Sequence, residues 1–205
     1  MQIRELKVPG AFEVTPVQHA DERGVFVEWY RFDALQEAVG HPLTLRQANL
    51  SVSKRGVVRG IHFADVPPGQ AKYVTCISGA VLDFAIDIRV GSPTFGQWES
   101  VRLDDADRRA VYVGEGLGHA FVALSDDAAV SYLVSDVYRP AAEHGVHPLD
   151  EQIGLQFPDE AGELRLSPKD AVAPTLAEAE AAGLLPDYRS CIEYVESLRT
   201  AEGRE

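Results

Sequence analysis

Ala80-Val81-Leu82-Asp83-Phe84-Ala85-Ile86-Asp87-Ile88-Arg89-Val90 alternates with a period of two along its whole length. Leu82, Phe84, Ile86, Ile88 and Val90 share one face, and Asp83, Ala85, Asp87 and Arg89 share the other. Successive side chains of a strand point to opposite faces, so this stretch reads as a β-strand. The turn Gly91-Ser92-Pro93-Thr94 ends it. Further strands are predicted at 98–103, 109–113, 120–124 and 128–135, and a strand at 43–52 precedes it. Turn signals recur about every ten residues, and no helical pattern interrupts 43–135, so the body is mainly β, a sandwich or barrel rather than a parallel βαβ sheet.

The ends differ in character. Residues 11–16 and 25–30 read as short strands around the turn Asp21-Glu22-Arg23-Gly24, and 32–39 as a short helix stopped by Gly40. After Asp170 the strand pattern stops. Thr175 and Glu178 form a capping box opening a helix that ends near Gly183, and Ser190 with Glu193 reads as a second box opening a helix over 190–198. These helices are expected to cover a face or an edge of the β-body. The expectation is one domain over 1–205, with a β-body of about 1–170, a helical tail of about 171–200 and a frayed last five residues.

Chemistry concentrates just before the opening stretch. Gly56-Val57-Val58-Arg59-Gly60-Ile61-His62-Phe63 and Gln70-Ala71-Lys72-Tyr73-Val74 read as two strands joined by Pro67-Pro68-Gly69. Arginine suits phosphate, histidine titrates near neutrality, and lysine stabilises negative charge appearing on oxygen. Together they suit proton abstraction beside a carbonyl in a phosphate-bearing substrate. Read by themselves, the two strands fit a surface arginine and lysine with a hydrogen-bonded histidine more readily than a reactive set. Strict alternation puts Arg59 and His62 on opposite faces, unless Gly60 marks a bulge or one residue lies past the strand end. The Asp83 face is either solvent-facing or the wet interior of a barrel, where Asp83 could position Lys72.

The whole chain sets limits. The net charge of −13 over 205 residues argues against non-specific nucleic-acid binding and against anionic membranes. Cys76 and Cys191 read as buried free thiols. The first residues lack an apolar signal-peptide core and no apolar run approaches membrane-spanning length, so a cytoplasmic protein is expected.

Several segments in order resemble the dTDP-4-dehydrorhamnose 3,5-epimerase family of sugar-nucleotide epimerases. They are the turn at 21–24 with Val25-Phe26-Val27-Glu28, Gln47-Ala48-Asn49-Leu50-Ser51, the two strands carrying Arg59, His62 and Lys72, and Gly91-Ser92-Pro93-Thr94-Phe95-Gly96. Gly118-His119-Ala120-Phe121, Tyr138-Arg139-Pro140 with Glu143-His144-Gly145, and Leu166-Ser167-Pro168-Lys169-Asp170 complete the set. The resemblance implies a double-stranded β-helix of the cupin type, a small jelly roll, usually a homodimer, acting on a dTDP-sugar without a cofactor or metal. It implies His62 as the base, paired with Asp170, and Tyr132 as the acid on the opposite face of the sugar. It puts Lys72 and His119 near the substrate ketone and sugar, and Arg23 and Arg59 at the diphosphate. Glu28, Gln47, Asn49, Glu143 and Lys169 complete the contacts, Tyr138 stacks on thymine, and Phe26 and Phe121 join the substrate-binding set. His19, His41, His144 and His147 are read as structural or surface residues.

The sequence departs from the rhamnose-pathway pattern. Ala120 stands where that family usually has glycine, and Tyr73 where leucine is common. Residues 64–68 and 183–188 resemble the branch of antibiotic deoxysugar pathways, whose members often epimerise one carbon. The expectation is therefore a 3-epimerase of dTDP-4-keto-6-deoxy-D-glucose, with a 3,5-epimerase or 5-epimerase as the alternative. A metal-dependent cupin needs clustered histidines and a carboxylate, and His62 lacks the usual partner. A non-catalytic dTDP-sugar-binding module would need no base or acid.

Overall fold

The computed structural model describes residues 1–202; the last three, and with them the fraying expected at the chain end, lie outside the described residues. Thirteen strands run from β1 (Gln2–Glu5) through β2 (Ala11–Thr15), β3 (Gln18–Asp21), β4 (Gly24–Val27), β5 (Gln47–Ser53), β6 (Val58–Ala64) and β7 (Lys72–Ser78). They continue with β8 (Ala80–Ile86), β9 (Trp98–Asp104), β10 (Ala110–Val113), β11 (Gly118–Ala123), β12 (Ala128–Val134) and β13 (Glu143–Gly145). The α-helices are α1 (Phe32–Val39), α2 (Pro168–Ala171), α3 (Leu176–Ala181) and α4 (Tyr188–Glu202). One antiparallel sheet has the order β1-β2-β10-β7-β12-β5, a second β13-β6-β11-β8-β9, and β3-β4 is a separate hairpin. From β5 to β8, and again from β9 to β12, each strand lies in the sheet opposite its predecessor. That alternation winds the chain into the expected jelly-roll-like sandwich.

The space between the sheets is filled by Val74, Cys76, Val81, Ala85, Val101, Leu103, Phe121 and Val130, among others. The opening stretch divides there in a way alternation alone does not reveal. Its more apolar face, Phe84, Ile86 and Ile88, points away from the six-stranded sheet and packs beneath the C-terminal segment, against Val146, Ile153, Leu176, Ala179 and Leu185. Its other face, with Ala85 and Asp83, is the interior one. The tail thus covers a sheet face, as expected. On the six-stranded sheet, α1 buries Leu35 and Val39 against Val14, Tyr73 and Tyr112. Cys76 and Cys191 are free and buried, as read from the sequence.

Local signals held at several ends. Gly40 closes α1 with φ 89°. Thr175 and Glu178 form the capping box of α3 in both directions. The second box is a correction. Ser190 donates to Asp187 Oδ1 instead of capping a helix itself, and Glu193 accepts from Arg189, so α4 begins two residues earlier, at Tyr188. The strand expected at 43–52 begins only at Gln47, and the one at 25–30 ends at Val27. β1 and β13, four and three residues long, carried no recognisable pattern.

Candidate active site

β6 carries the decisive irregularity. His62 pairs with His119 and Arg59 with Phe121, so three steps on β6 match two on β11. This is the bulge that Gly60 allowed for. It lets Val58, Ile61 and Phe63 all enter the outer core while Arg59 and His62 both face the cavity between the sheets. Only glycine fits at the bulge: φ is +125°, and a Cβ there would come within 2.5 Å of the His119 carbonyl oxygen and 2.6 Å of the Ala120 Cβ.

The cavity holds about 690 Å³. It gathers twelve of the expected residues: Gln47, Asn49, Arg59, His62, Lys72, His119, Phe121, Tyr132, Tyr138, Glu143, Lys169 and Asp170. His62 comes from the five-stranded sheet and Tyr132 from the six-stranded one, so the two side chains enter from opposite walls.

His62 Nε2 lies 2.7 Å from Asp170 Oδ1. Asp170 is held by its own short helix. Ser167 caps α2, accepts from the Asp170 backbone N–H at 3.0 Å and donates its hydroxyl to Asp170 Oδ2 at 2.8 Å. Burial works against ionisation of Asp170, but the hydrogen bonds from His62 and Ser167, with Lys169 nearby, outweigh it and hold the carboxyl below its ordinary range. An ionised Asp170 only accepts, so Nε2 of His62 carries hydrogen and Nδ1 is the basic nitrogen of the neutral ring.

Across the cavity, burial raises Tyr132, with Arg59 pulling the other way and Glu143 reinforcing it. Tyr132 therefore keeps its proton at neutral pH and is equipped to donate it. Lys72 is 7% exposed. Burial brings its ammonium down to about 8, against the opposing pull of Glu143, Asp83 and Glu115. His119 Nε2 lies 2.8 Å from Asp83 Oδ2. Burial raises the Asp83 carboxyl despite His119 and Lys72, and its Oδ1 is buried without a hydrogen-bond partner. The solvent-facing alternative for Asp83 is thereby discarded.

At the mouth, Arg59 donates from Nε to Ser53 Oγ at 3.0 Å, which fixes the guanidinium's stem. Gln47 donates to Asn49 Oδ1 at 2.7 Å and accepts from the Tyr138 backbone N–H at 3.0 Å, tying half-exposed Tyr138 to the rim. Gln70 donates to Glu143 Oε1 at 3.3 Å.

Three expected residues do not line this cavity. Arg23, Phe26 and Glu28 belong to the β3-β4 hairpin and its exit, which pairs only with itself among the described strands. Arg23 is engaged with Asp21, and Phe26 is 67% exposed. Conversely, His144, read as structural or surface, lines the cavity and bonds Asp65 at 2.8 Å. Arg165 and Ser167 also line it. Arg165 lies one residue before the Leu166-Asp170 motif and reaches the wall through a parallel bridge with Val57.

The profile of the dTDP-4-dehydrorhamnose 3,5-epimerase family matches residues 5–178. The chain belongs to this family. It is 60% identical over 191 residues to a dTDP-4-dehydrorhamnose 3-epimerase of Streptomyces niveus, covering 93% of this chain and 91% of that one. It is 58% identical over 199 residues to a dTDP-4-dehydrorhamnose 3,5-epimerase of Mycolicibacterium smegmatis, covering 97% and 98%. The fold superposes with a TM-score of 0.92 on the crystal structure of a 3′-monoepimerase from Streptomyces bikiniensis in complex with dTDP-quinovose, at 48% identity and 95% and 98% coverage. The family reading made from the motifs therefore holds: the chain is an isomerase of the dTDP-sugar epimerase type.

Proposed function

We propose that the chain is a cofactor-independent epimerase of dTDP-4-keto-6-deoxy-D-glucose, acting at C3 in deoxysugar biosynthesis. The observation that carries this is the Asp170-backed His62 and the protonated Tyr132 entering one cavity from opposite sheets. Nδ1 of His62 takes the proton from C3, the electron pair moves toward the C4 oxygen, and the Lys72 ammonium stabilises the resulting enolate. Tyr132 then delivers a proton to the other face of C3, which inverts the centre. Both residues re-equilibrate their protons with water, and no electron or hydride is transferred. Arg59 and Lys169, with Arg165 beside them, supply positive charge at the mouth for the diphosphate. Gln47, Asn49 and Glu143 contact sugar and nucleotide, His119 and Phe121 line the sugar site, and Tyr138 stacks on thymine.

Similar identity to a 3-epimerase and to a 3,5-epimerase makes inversion at C3 and C5 the second reading. Incubation with the substrate in heavy water followed by proton NMR separates them: loss of the C3 signal alone supports the 3-epimerase, and loss at C3 and C5 replaces it with the double epimerase.

We further propose one epimerase domain per chain, a cytoplasmic setting and a homodimer in which each β3-β4 hairpin brings Arg23, Phe26 and Glu28 to the partner's cavity. Leu50 and Val52 on edge strand β5 are 63% and 56% exposed, and Val25 and Phe26 on the hairpin are 51% and 67% exposed. An apolar, unpaired sheet edge of this kind favours a second copy. Analytical ultracentrifugation of the native protein and of Leu50→Glu tests it. A dimer for the native protein and a monomer for the variant are expected, whereas a native monomer would contradict it.

A further inference from the structure

Beneath the reactive cavity lies a second one of about 180 Å³, between the end of β10 and α4. It is lined by Glu115, His41, Tyr112, Arg89 and Arg199, among others. Glu115 is 5% exposed and His41 2%. No step of the proposed reaction uses either residue.

Glu115 is placed by the same framework that places Lys72. Lys72 on β7 stands opposite Val113 on β10, and the chain runs from Val113 directly into Gly114-Glu115. The turn that delivers Lys72 packs on the Glu115 side chain: a Cβ at Gly69 would come within 2.9 Å of both its Cβ and its Cγ. Lys72 lines the first cavity and Glu115 the second, so the two residues stand on the walls of different cavities. Glu143 and Asp83 act on Lys72 more strongly than Glu115 does, Glu143 also accepting from Gln70 and Asp83 bonding His119 through Oδ2; of the three, Glu115 alone lines the second cavity. Glu115 accepts from its own backbone N–H and from the Tyr112 hydroxyl at 3.5 Å, with His41 nearby.

We propose that Glu115 is a positioning residue: from the second cavity it adds negative charge behind the Lys72 ammonium and so biases where that ammonium sits. The inference rests on the reading of Lys72 as the group that stabilises the enolate. Burial pushes the Glu115 carboxyl up, while His41, Tyr112 and Lys72 pull it back, so the acid and the lysine each favour the other's charged form. The other charged or titratable groups lining the second cavity are Arg89 after β8, Glu5 on β1, and Glu196 and Arg199 on α4. The first cavity, with Lys72, is lined by Arg59 and His62 on β6, His119 on β11, Tyr132 on β12, Glu143 and His144 on β13, and Tyr138, Arg165, Lys169 and Asp170, and Asp83 on β8 also acts on Lys72.

The test compares kcat/KM against pH for the native enzyme, Glu115→Gln and Glu115→Asp, with thermal melts to confirm folding. In Glu115→Gln the alkaline limb is expected to move toward acid by about half a pH unit, with KM for the dTDP-sugar unchanged, and Glu115→Asp returns it. A folded Glu115→Gln enzyme with an unmoved limb overturns the inference. A second measurement needs no turnover: the carboxyl carbon of Glu115 is titrated by NMR in the native protein and in Lys72→Met. Its midpoint should rise when the lysine is removed, and an unchanged midpoint also overturns the inference. Failure there leaves the role of Lys72 intact, whereas a Lys72→Met enzyme that epimerises at the native rate would overturn that role instead.

Discussion

In the proposed reaction His62 and Tyr132 do opposite jobs because their surroundings treat their protons differently. Asp170 orients the imidazole through Nε2, while burial keeps the Tyr132 phenol protonated. His62→Asn is expected to lower exchange of the C3 proton with solvent by about 100-fold or more while the protein still binds dTDP, as read by deuterium incorporation and calorimetry. Tyr132→Phe should retain part of that exchange and lose inversion; native-rate formation of the epimer by this variant would remove Tyr132 as the donor. Lys72, at about 8, contributes its charge below that pH and loses it above, so kcat/KM should fall as pH rises through the region of 8. Asp170 carries a stability consequence. A carboxyl depressed in the folded state stabilises the fold above its unfolded value near 3.8, and that contribution is lost as pH falls through the folded one. Asp170→Asn should therefore cost about 1–3 kcal/mol in denaturant melts at pH 7, with the gap to the native protein closing below pH 4.

Between the residue and the whole protein stands the bulge in β6. Without it, alternation would send either Arg59 or His62 into the outer core. Gly60→Ala is expected to destabilise by about 1–3 kcal/mol or more, because φ of +125° and a 2.5 Å approach to the His119 carbonyl both oppose a Cβ. Urea denaturation measures it, and a loss below about 0.5 kcal/mol would show that the bulge accepts a side chain. This element also marks the limit of sequence reading. A glycine between Arg59 and His62, two residues before the histidine, named the bulge as an option, yet the choice depends on the register with β11, a long-range property. The same holds for β8: its period was plain, but which face was interior depended on the C-terminal segment packing over Phe84 and Ile86. Ser190 and Glu193 imitated a capping box because the spacing was right, while Asp187 three residues earlier is the side chain that accepts the Ser190 N–H. Arg165 and His144 were passed over because their routes to the cavity, a one-residue bridge and a three-residue strand, leave no periodic trace.

On the scale of the molecule, the two sheets stand as opposing jaws, one presenting His62 and the other Tyr132 and Lys72. A net charge of −13 surrounds a mouth bearing Arg59, Lys169 and Arg165, so the attraction proposed for a nucleoside diphosphate is a local one. Raising salt should weaken dTDP binding, because those groups lie at the solvent-facing rim. Everything proposed for catalysis depends on protons crossing between solvent and one sugar carbon through His62 and Tyr132. The most direct test is proton NMR of dTDP-4-keto-6-deoxyglucose in heavy water with the native enzyme and with His62→Asn side by side. The account predicts rapid loss of the C3 signal with the native enzyme and its persistence with the variant; loss of that signal at the same rate with His62→Asn would contradict it.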